Sequence, residues 1–309
     1  VLAEVVRSGF VEGTHCGSVV ALAPDGGELW RLGDPDRPVF PRSSNKPLQA
    51  VGMLRAGLDL DGELLALACA SHSGEAFHLE GVRRILAGAG LDESALQTPP
   101  DYPVEEQEKL AYVAAGGAPA PVAMNCSGKH AAMLATCAVN GWPTETYRRP
   151  DHPLQAALRD TVADLAGQPV VAEGVDGCGA PLFALTLTGL ARAFQRIALA
   201  DQASPPGRVA AAIRAHPGWL GGTRRDVSAL IAGVPGLIAK DGAEAVYAAA
   251  LDDGRAVALK IDDGSSRARA PVMAAALRRL GVDAPVLAEQ GSMPLYGGAV
   301  VVGEVHALF

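Results

Sequence analysis

The chain has 309 residues, 49% hydrophobic and 19% charged, enough apolar surface for a large core, which excludes a disordered or fibrous protein. A formal net charge of −8, with no Lys/Arg cluster along a periodic face, argues against nucleic acid or a membrane surface and for a small-molecule partner. No run reaches the ~20 apolar residues that span a bilayer, and the opening VLAEVVRSGF lacks the regions of a signal peptide, so the expectation is a cytoplasmic protein.

Val-rich segments 2–7 and 17–23 predict strands, and Pro24-Asp25-Gly26-Gly27 turns the second back into 28–32 as a hairpin. Ser43-Ser44 ahead of Lys46-Pro47 and an apolar run predicts a helix start, with Gly57 as its stop. Further helices are predicted at 61–70, 75–89, 127–139, 152–166, 207–215, 224–232 and 269–280. Late strands are predicted at 245–251 and 255–261, flanking the turn Asp252-Asp253-Gly254, and at 298–308.

Strands at both ends with helices between predict an α+β fold: a mostly antiparallel sheet, built from both chain ends, packed against helices. With no repeat or charged linker, residues 1–309 form one unit, or two packed lobes sharing one core. No G-x-G-x-x-G after a strand and no Walker sequence occurs, so nucleotide binding has no support.

Five scattered cysteines do not make a disulfide framework and read as reduced thiols or metal ligands. Five lysines stand against 21 arginines, so each lysine merits inspection.

Four constellations carry chemistry. Ser43-Ser44-Asn45-Lys46 is an S-x-x-K at a helix start, which puts hydroxyl and amine on one face, and a lysine that has shed its proton can activate a serine. Read blandly, it is a Ser cap and a solvated lysine. Ser71-His72-Ser73-Gly74-Glu75 offers a second hydroxyl, or simply a capping box. Asn125-Cys126-Ser127-Gly128-Lys129-His130 places a thiol, an amine and an imidazole on one side of a helix. A second sulfur is available from Asp176-Gly177-Cys178-Gly179, although each cysteine alone reads equally as a small buried hydrophobe. Lys260 ends an apolar strand before Asp262-Asp263-Gly264, either half-buried with a lowered pKa or guarding a sheet edge.

Taken with Arg42-Ser43-Ser44-Asn45-Lys46-Pro47 and Ala239-Lys240-Asp241-Gly242, these motifs resemble the Rhizobium-type L-asparaginase family, also called asparaginase II-like, over nearly the whole chain. Lys46, Lys129, Lys240 and Lys260 all fall on the resembling motifs, and Lys109 does not. The resemblance implies a fold like serine β-lactamases and penicillin-binding proteins, a homodimer, and two Ser-Lys tandems, Ser43 with Lys46 and Ser71 with Lys260. It further implies zinc (Zn2+) on Cys126, Lys129 and Cys178, organising the substrate end of the pocket rather than activating water. For substrate it implies Asp176 on the α-amine and Arg42 with His130 on the carboxylate side.

The expected reaction is hydrolysis of L-asparagine to L-aspartate and ammonia, with Ser43 as first choice of nucleophile and Ser71 as relay or alternative. A glutaminase or another serine amidohydrolase on this scaffold is the nearest rival, because one methylene changes affinity by only about 1–3 kcal/mol. A β-lactamase fits less well, since the partner motifs differ from S-D-N and K-T-G. A non-catalytic zinc- or amino-acid-binding protein is the alternative from another class.

Overall fold

The computed structural model describes all residues, 1–309. Its strands run in chain order as β1 (Ala3–Arg7), β2 (Phe10–His15), β3 (Gly17–Leu22), β4 (Glu28–Leu32), β5 (Glu173–Val175), β6 (Pro181–Phe183), β7 (Ile238–Asp241), β8 (Val246–Ala250), β9 (Ala256–Ile261), β10 (Ser292–Gly297) and β11 (Val300–Ala307). The helices are α1 (Lys46–Arg55), α2 (Gly62–Ala68), α3 (Ala76–Gly88), α4 (Glu106–Ala114), α5 (Ser127–Asn140) and α6 (Pro153–Ala166). They continue as α7 (Leu187–Ala198), α8 (Pro205–Ala215), α9 (Pro217–Leu220), α10 (Asp226–Gly233), α11 (Arg269–Arg279) and α12 (Pro285–Glu289). No helix is long and apolar enough to cross a membrane.

The α+β class and the antiparallel pairing are as expected, and the chain ends do pair, β1 with β11 in the register Ala3↔Ala307 to Arg7↔Gly303. The strands divide between two principal sheets, however: β10-β11-β1-β2 and β4-β3-β9-β8-β7. The chain passes from one to the other at Cys16 and Gly17. A Cβ at Gly17 would lie 2.1 Å from the Lys260 carbonyl oxygen, so only glycine lets β3 approach β9 there.

β8 and β9 lie inside the second sheet and are almost wholly buried, hence their run of Ala and Val rather than an alternating pattern. Helix α7 packs across β3, β8 and β9, and α11 touches both β9 and β11, which joins the two sheets. One core of 80 buried apolar residues runs through these layers and the helices.

Helix α1 is the axis of the helical side: Lys46 to Leu54 are all buried, and it packs on α2, α5, α6 and α8. A helix apolar nearly all round belongs at the centre of a core. Pro47 occupies its first turn, and Gly57, at φ +92°, ends it by returning its N–H to the Leu54 carbonyl. The amine of Lys46 is therefore delivered to the protein interior.

Candidate active site

Pro41 leads into a tight 3-10 turn at Arg42–Asn45 that runs directly into α1. Ser43 is half-buried in this turn, and its hydroxyl makes no hydrogen bond within the protein. Lys46 is fully buried, and its ammonium donates to the Ala70 carbonyl at 2.5 Å, the Ser71 hydroxyl at 3.0 Å and the Cys126 sulfur at 3.1 Å. The lysine of the S-x-x-K thus meets the second serine. Ser71 itself is held by its neighbours: its N–H donates to Leu220, and those of His72 and Ser73 donate to Asn125 and Gly221.

The expected contact of Ser71 with Lys260 is not formed. Lys260 lies on β9 and donates to the carbonyl oxygens of Glu244, at 2.6 Å, and Ile261. Lys240 on β7 is on the same sheet face but two strands nearer the 42–45 turn, a lateral separation of roughly 10 Å between the two backbones. Lys240 is the buried lysine beside Lys46. The next strand residues tie it to the serine turn: a Cβ on Gly242 would sit 2.7 Å from Pro41 O, 3.1 Å from Ser44 N and 3.3 Å from Ser43 N.

Burial, reinforced by the charge of Lys46 and opposed by Asp241, pulls Lys240 down from its ordinary 10.5 to about 8. Its ammonium donates to the backbone oxygen and the carboxylate of Asp241, both at 2.7 Å. Asp241 is also gripped by Arg225 at 2.9 Å and Arg269 at 3.1 Å. Burial would raise that carboxyl, but the three cations outweigh it and keep it ionised. Lys260, by contrast, is only half-buried, and its pKa is lowered chiefly by that partial desolvation.

The sulfurs form the far wall. Cys126 caps α5, and Cys178 sits in the turn between β5 and β6, where Gly179 adopts φ +82°. Lys129 donates to the Cys178 sulfur at 3.2 Å, and a hydrogen bond from Cys126 together with Lys129 holds the Cys178 thiol far below its usual range. Desolvation alone would lower Lys129, but the neighbouring sulfurs and Asp176 raise it instead. His130 is completely buried, with Nδ1 2.6 Å from the Tyr147 hydroxyl; the ring approaches Cys178, and Nε2 has no hydrogen-bond partner.

Arg42 closes the rim. Its guanidinium donates to Asp176 at 2.9 Å and lies 3.9 Å from Glu244, so the residues expected at the amine and carboxylate ends are here paired with each other. Arg42 itself is held at φ +51°. Contacts link Lys46, Ser71 and Cys126, and likewise Lys129, Cys178, His130, Asp176 and Arg42; Ser43 adjoins Arg42 in the turn, and Lys260 touches none of them directly. A groove of about 490 Å³ between α2, α3 and α5 is lined by Leu58, Leu64, Ile85 and Val139 and holds none of them.

Sequence reasoning gave no chemical role to Lys240, Asp241 or Glu244. The signal for Lys240 was present, a lone lysine after Leu237-Ile238-Ala239 in an arginine-preferring chain.

A search of curated proteins returned no match. Among solved structures the chain is similar to a β-lactamase from Mycobacterium bovis, with 14% identity, 86% of this chain and 95% of that chain covered, and a TM-score of 0.47. It is also similar to a protein named Mglu in its native form, with 14% identity, 86% of this chain and 63% of that chain covered, and a TM-score of 0.44. The family model described as L-asparaginase II matches residues 3–307. Matched over nearly its whole length, the chain belongs to the L-asparaginase II family.

Proposed function

We propose that the chain is an L-asparaginase that hydrolyses L-asparagine to L-aspartate and ammonia through a lysine-activated serine. The observation that carries this reading is the pair of buried lysines: Lys46 in hydrogen-bond contact with Ser71, and Lys240 drawn down to about 8 beside the Ser43 turn. A lysine near neutrality can accept a serine proton and return it to a leaving group. The free, half-buried hydroxyl of Ser43 supports it as the nucleophile, and the depth of Ser71 and its bond to Lys46 support it as the relay.

In that scheme Ser43 Oγ bonds to the side-chain amide carbon as its proton passes through Ser71 to a neutral lysine. The tetrahedral adduct collapses by breaking the C–N bond, and the lysine protonates the departing nitrogen, which leaves as ammonia. Water adds to the acyl ester by the same relay run in reverse, releasing aspartate and restoring the serine. The first turn of α1 directs its N-terminal dipole at the developing oxyanion.

Zinc is part of the proposal. No three or more His, Cys, Asp and Glu side chains gather as a metal site, so the reading depends on an amine joining two sulfurs. The two sulfurs fit in chemistry, buried together with Lys129, whose raised ammonium would have to give up its proton to the entering metal; the orphaned Nε2 of His130 belongs to a ring beside Cys178. When bound, the metal would supply fixed positive charge at the substrate end of the pocket. A homodimer is proposed on the resemblance, and a cytoplasmic setting likewise.

The deciding experiment is ammonia release from L-asparagine and L-glutamine by the purified protein beside Ser43→Ala and Ser71→Ala. Asparagine turnover that collapses in Ser43→Ala supports the scheme. Equal turnover of glutamine moves the specificity to a glutaminase, and no turnover of either amide by folded, zinc-replete protein sinks the hydrolase reading.

A further inference from the structure

Two consecutive residues without glycine's freedom, Glu244 (φ +58°) and Ala245 (φ +50°), occupy left-handed backbone next to the serine turn. Such a conformation persists only where its surroundings impose it. The constraint here is Lys260, whose ammonium donates to the Glu244 carbonyl at 2.6 Å from across β8. On the other side, Gly242 is seated against Pro41, Ser43 and Ser44, so the segment 242–245 is clamped at both ends.

What the clamp presents is the Glu244 carboxylate. It lies 3.9 Å from Arg42, too far for a hydrogen bond, and it accepts none from any protein donor, with 60% of the side chain exposed at the rim. Asp176, across Arg42, is more committed: its Oδ1 takes both Arg42 and the Gly177 N–H. An α-amino acid head group carries an ammonium and a carboxylate on one carbon, so a site that recognises it needs both signs a few ångströms apart. Arg42 flanked by a used and an unused carboxylate meets that need.

We infer that Glu244 is the specificity residue that takes the substrate's α-ammonium together with Asp176, and that Lys260 is a positioning residue holding Glu244 there. The inference rests on the asparaginase reading for the identity of the head group. It also gives Lys260 a role other than proton transfer.

The test compares binding of L-aspartate with that of succinate, the same diacid without the amine, by titration calorimetry. Glu244→Gln should weaken L-aspartate about tenfold while leaving succinate within about twofold, since only the amine loses a charged partner. Lys260→Ala should reproduce that pattern, Lys260→Arg should restore it by donating to the same carbonyl, and adding Lys260→Ala to Glu244→Gln should cost little more. With asparagine as substrate the loss should fall on KM rather than kcat.

Equal weakening of both diacids by Glu244→Gln, or no weakening, overturns the role of Glu244. If Lys260→Ala fails to fold, the Lys260→Arg and Glu244→Gln pair still decides. A kcat collapse in Lys260→Arg with L-aspartate binding intact makes Lys260 catalytic and overturns its positioning role. Failure of the wild type to release ammonia from asparagine is a different result: it removes the asparaginase reading, and the diacid comparison then stands or falls alone.

Discussion

Lys240 illustrates how much a single buried amine can decide. Burial favours its neutral form, and with a pKa near 8 about a tenth of the protein holds the free base at pH 7. The activity on asparagine should therefore climb as pH rises through about 8 and flatten above it, and Lys240→Arg should lose at least ~100-fold with no such climb, because a guanidinium does not give up its proton. A rate that is flat from pH 6 to 9 in the wild type would remove Lys240 from proton transfer. The linkage runs the same way: between about 8 and 10.5 the unfolded chain binds the proton that the folded chain has released, so this residue adds stability as pH rises across that window. The sulfur wall has its own test at this scale. If the proposed zinc is held there, the wild type should carry about one tightly bound zinc per chain by elemental analysis and Cys178→Ser should bring it toward zero, since a hydroxyl does not replace a thiolate; unchanged metal content would refute the ligand set.

Elements with their own periodic or capping signal were legible: β1, β3, α1, α3, α5, α6, α8, α11 and the β8–β9 hairpin fall where the sequence puts them, within a few residues. Helix α7 was not read, although Leu187, Leu190, Ala191, Phe194 and Ile197 repeat at helical spacing and Thr186 caps its first turn. Strand β7 is four residues long and buried on both sides, so it had no alternation to reveal it, and with it the reason for choosing Lys240 over Lys260 was hidden. Which strand lysine lies on the side of the serine turn depends on strand order, 9-8-7, and chain order does not disclose strand order. The close approach of β7 to the serine turn makes a prediction of its own. Gly242→Ala keeps an ordinary backbone (φ −131°) but adds a Cβ 2.7 Å from Pro41 O, so the turn must shift. We expect a stability loss of about 1–3 kcal/mol in chemical denaturation, typical of overpacking. Asparagine turnover should drop further, by roughly 100-fold, because a displacement near 1 Å is amplified at a reacting group. Full activity would mean that the turn does not carry the nucleophile.

At the scale of the molecule, the two-sheet arrangement leaves one end of the β10-β11-β1-β2 sheet projecting from the core. The β1–β2 and β10–β11 hairpin tips lie side by side, joined by Ser8 N–H to Val302 O at 2.7 Å and by Arg7 to Tyr296 O. Phe10, Tyr296, Val300 and Val301 are each more than half exposed there. Tyr296 and Val301 are directly opposite each other on paired strands, with Val300 next in the same hairpin. The Arg7–Glu12 ion pair places both charge signs beside them, which is compatible with a two-fold, self-complementary contact. This surface is where the proposed homodimer should form: sedimentation should give twice the chain mass, and Phe10→Asp with Val300→Asp should halve it while circular dichroism stays unchanged. A stable interface needs about 800 Å² per partner, so two charges at the centre of such a patch should be enough to dissociate it. A doubly substituted protein that remains dimeric would move the interface elsewhere, and a monomeric wild type would remove the dimer. Neither result would touch the serine chemistry, because the catalytic candidates come from the 42–45 turn, α1, α5, β7 and the segments that follow α2 and β5, away from both hairpin tips.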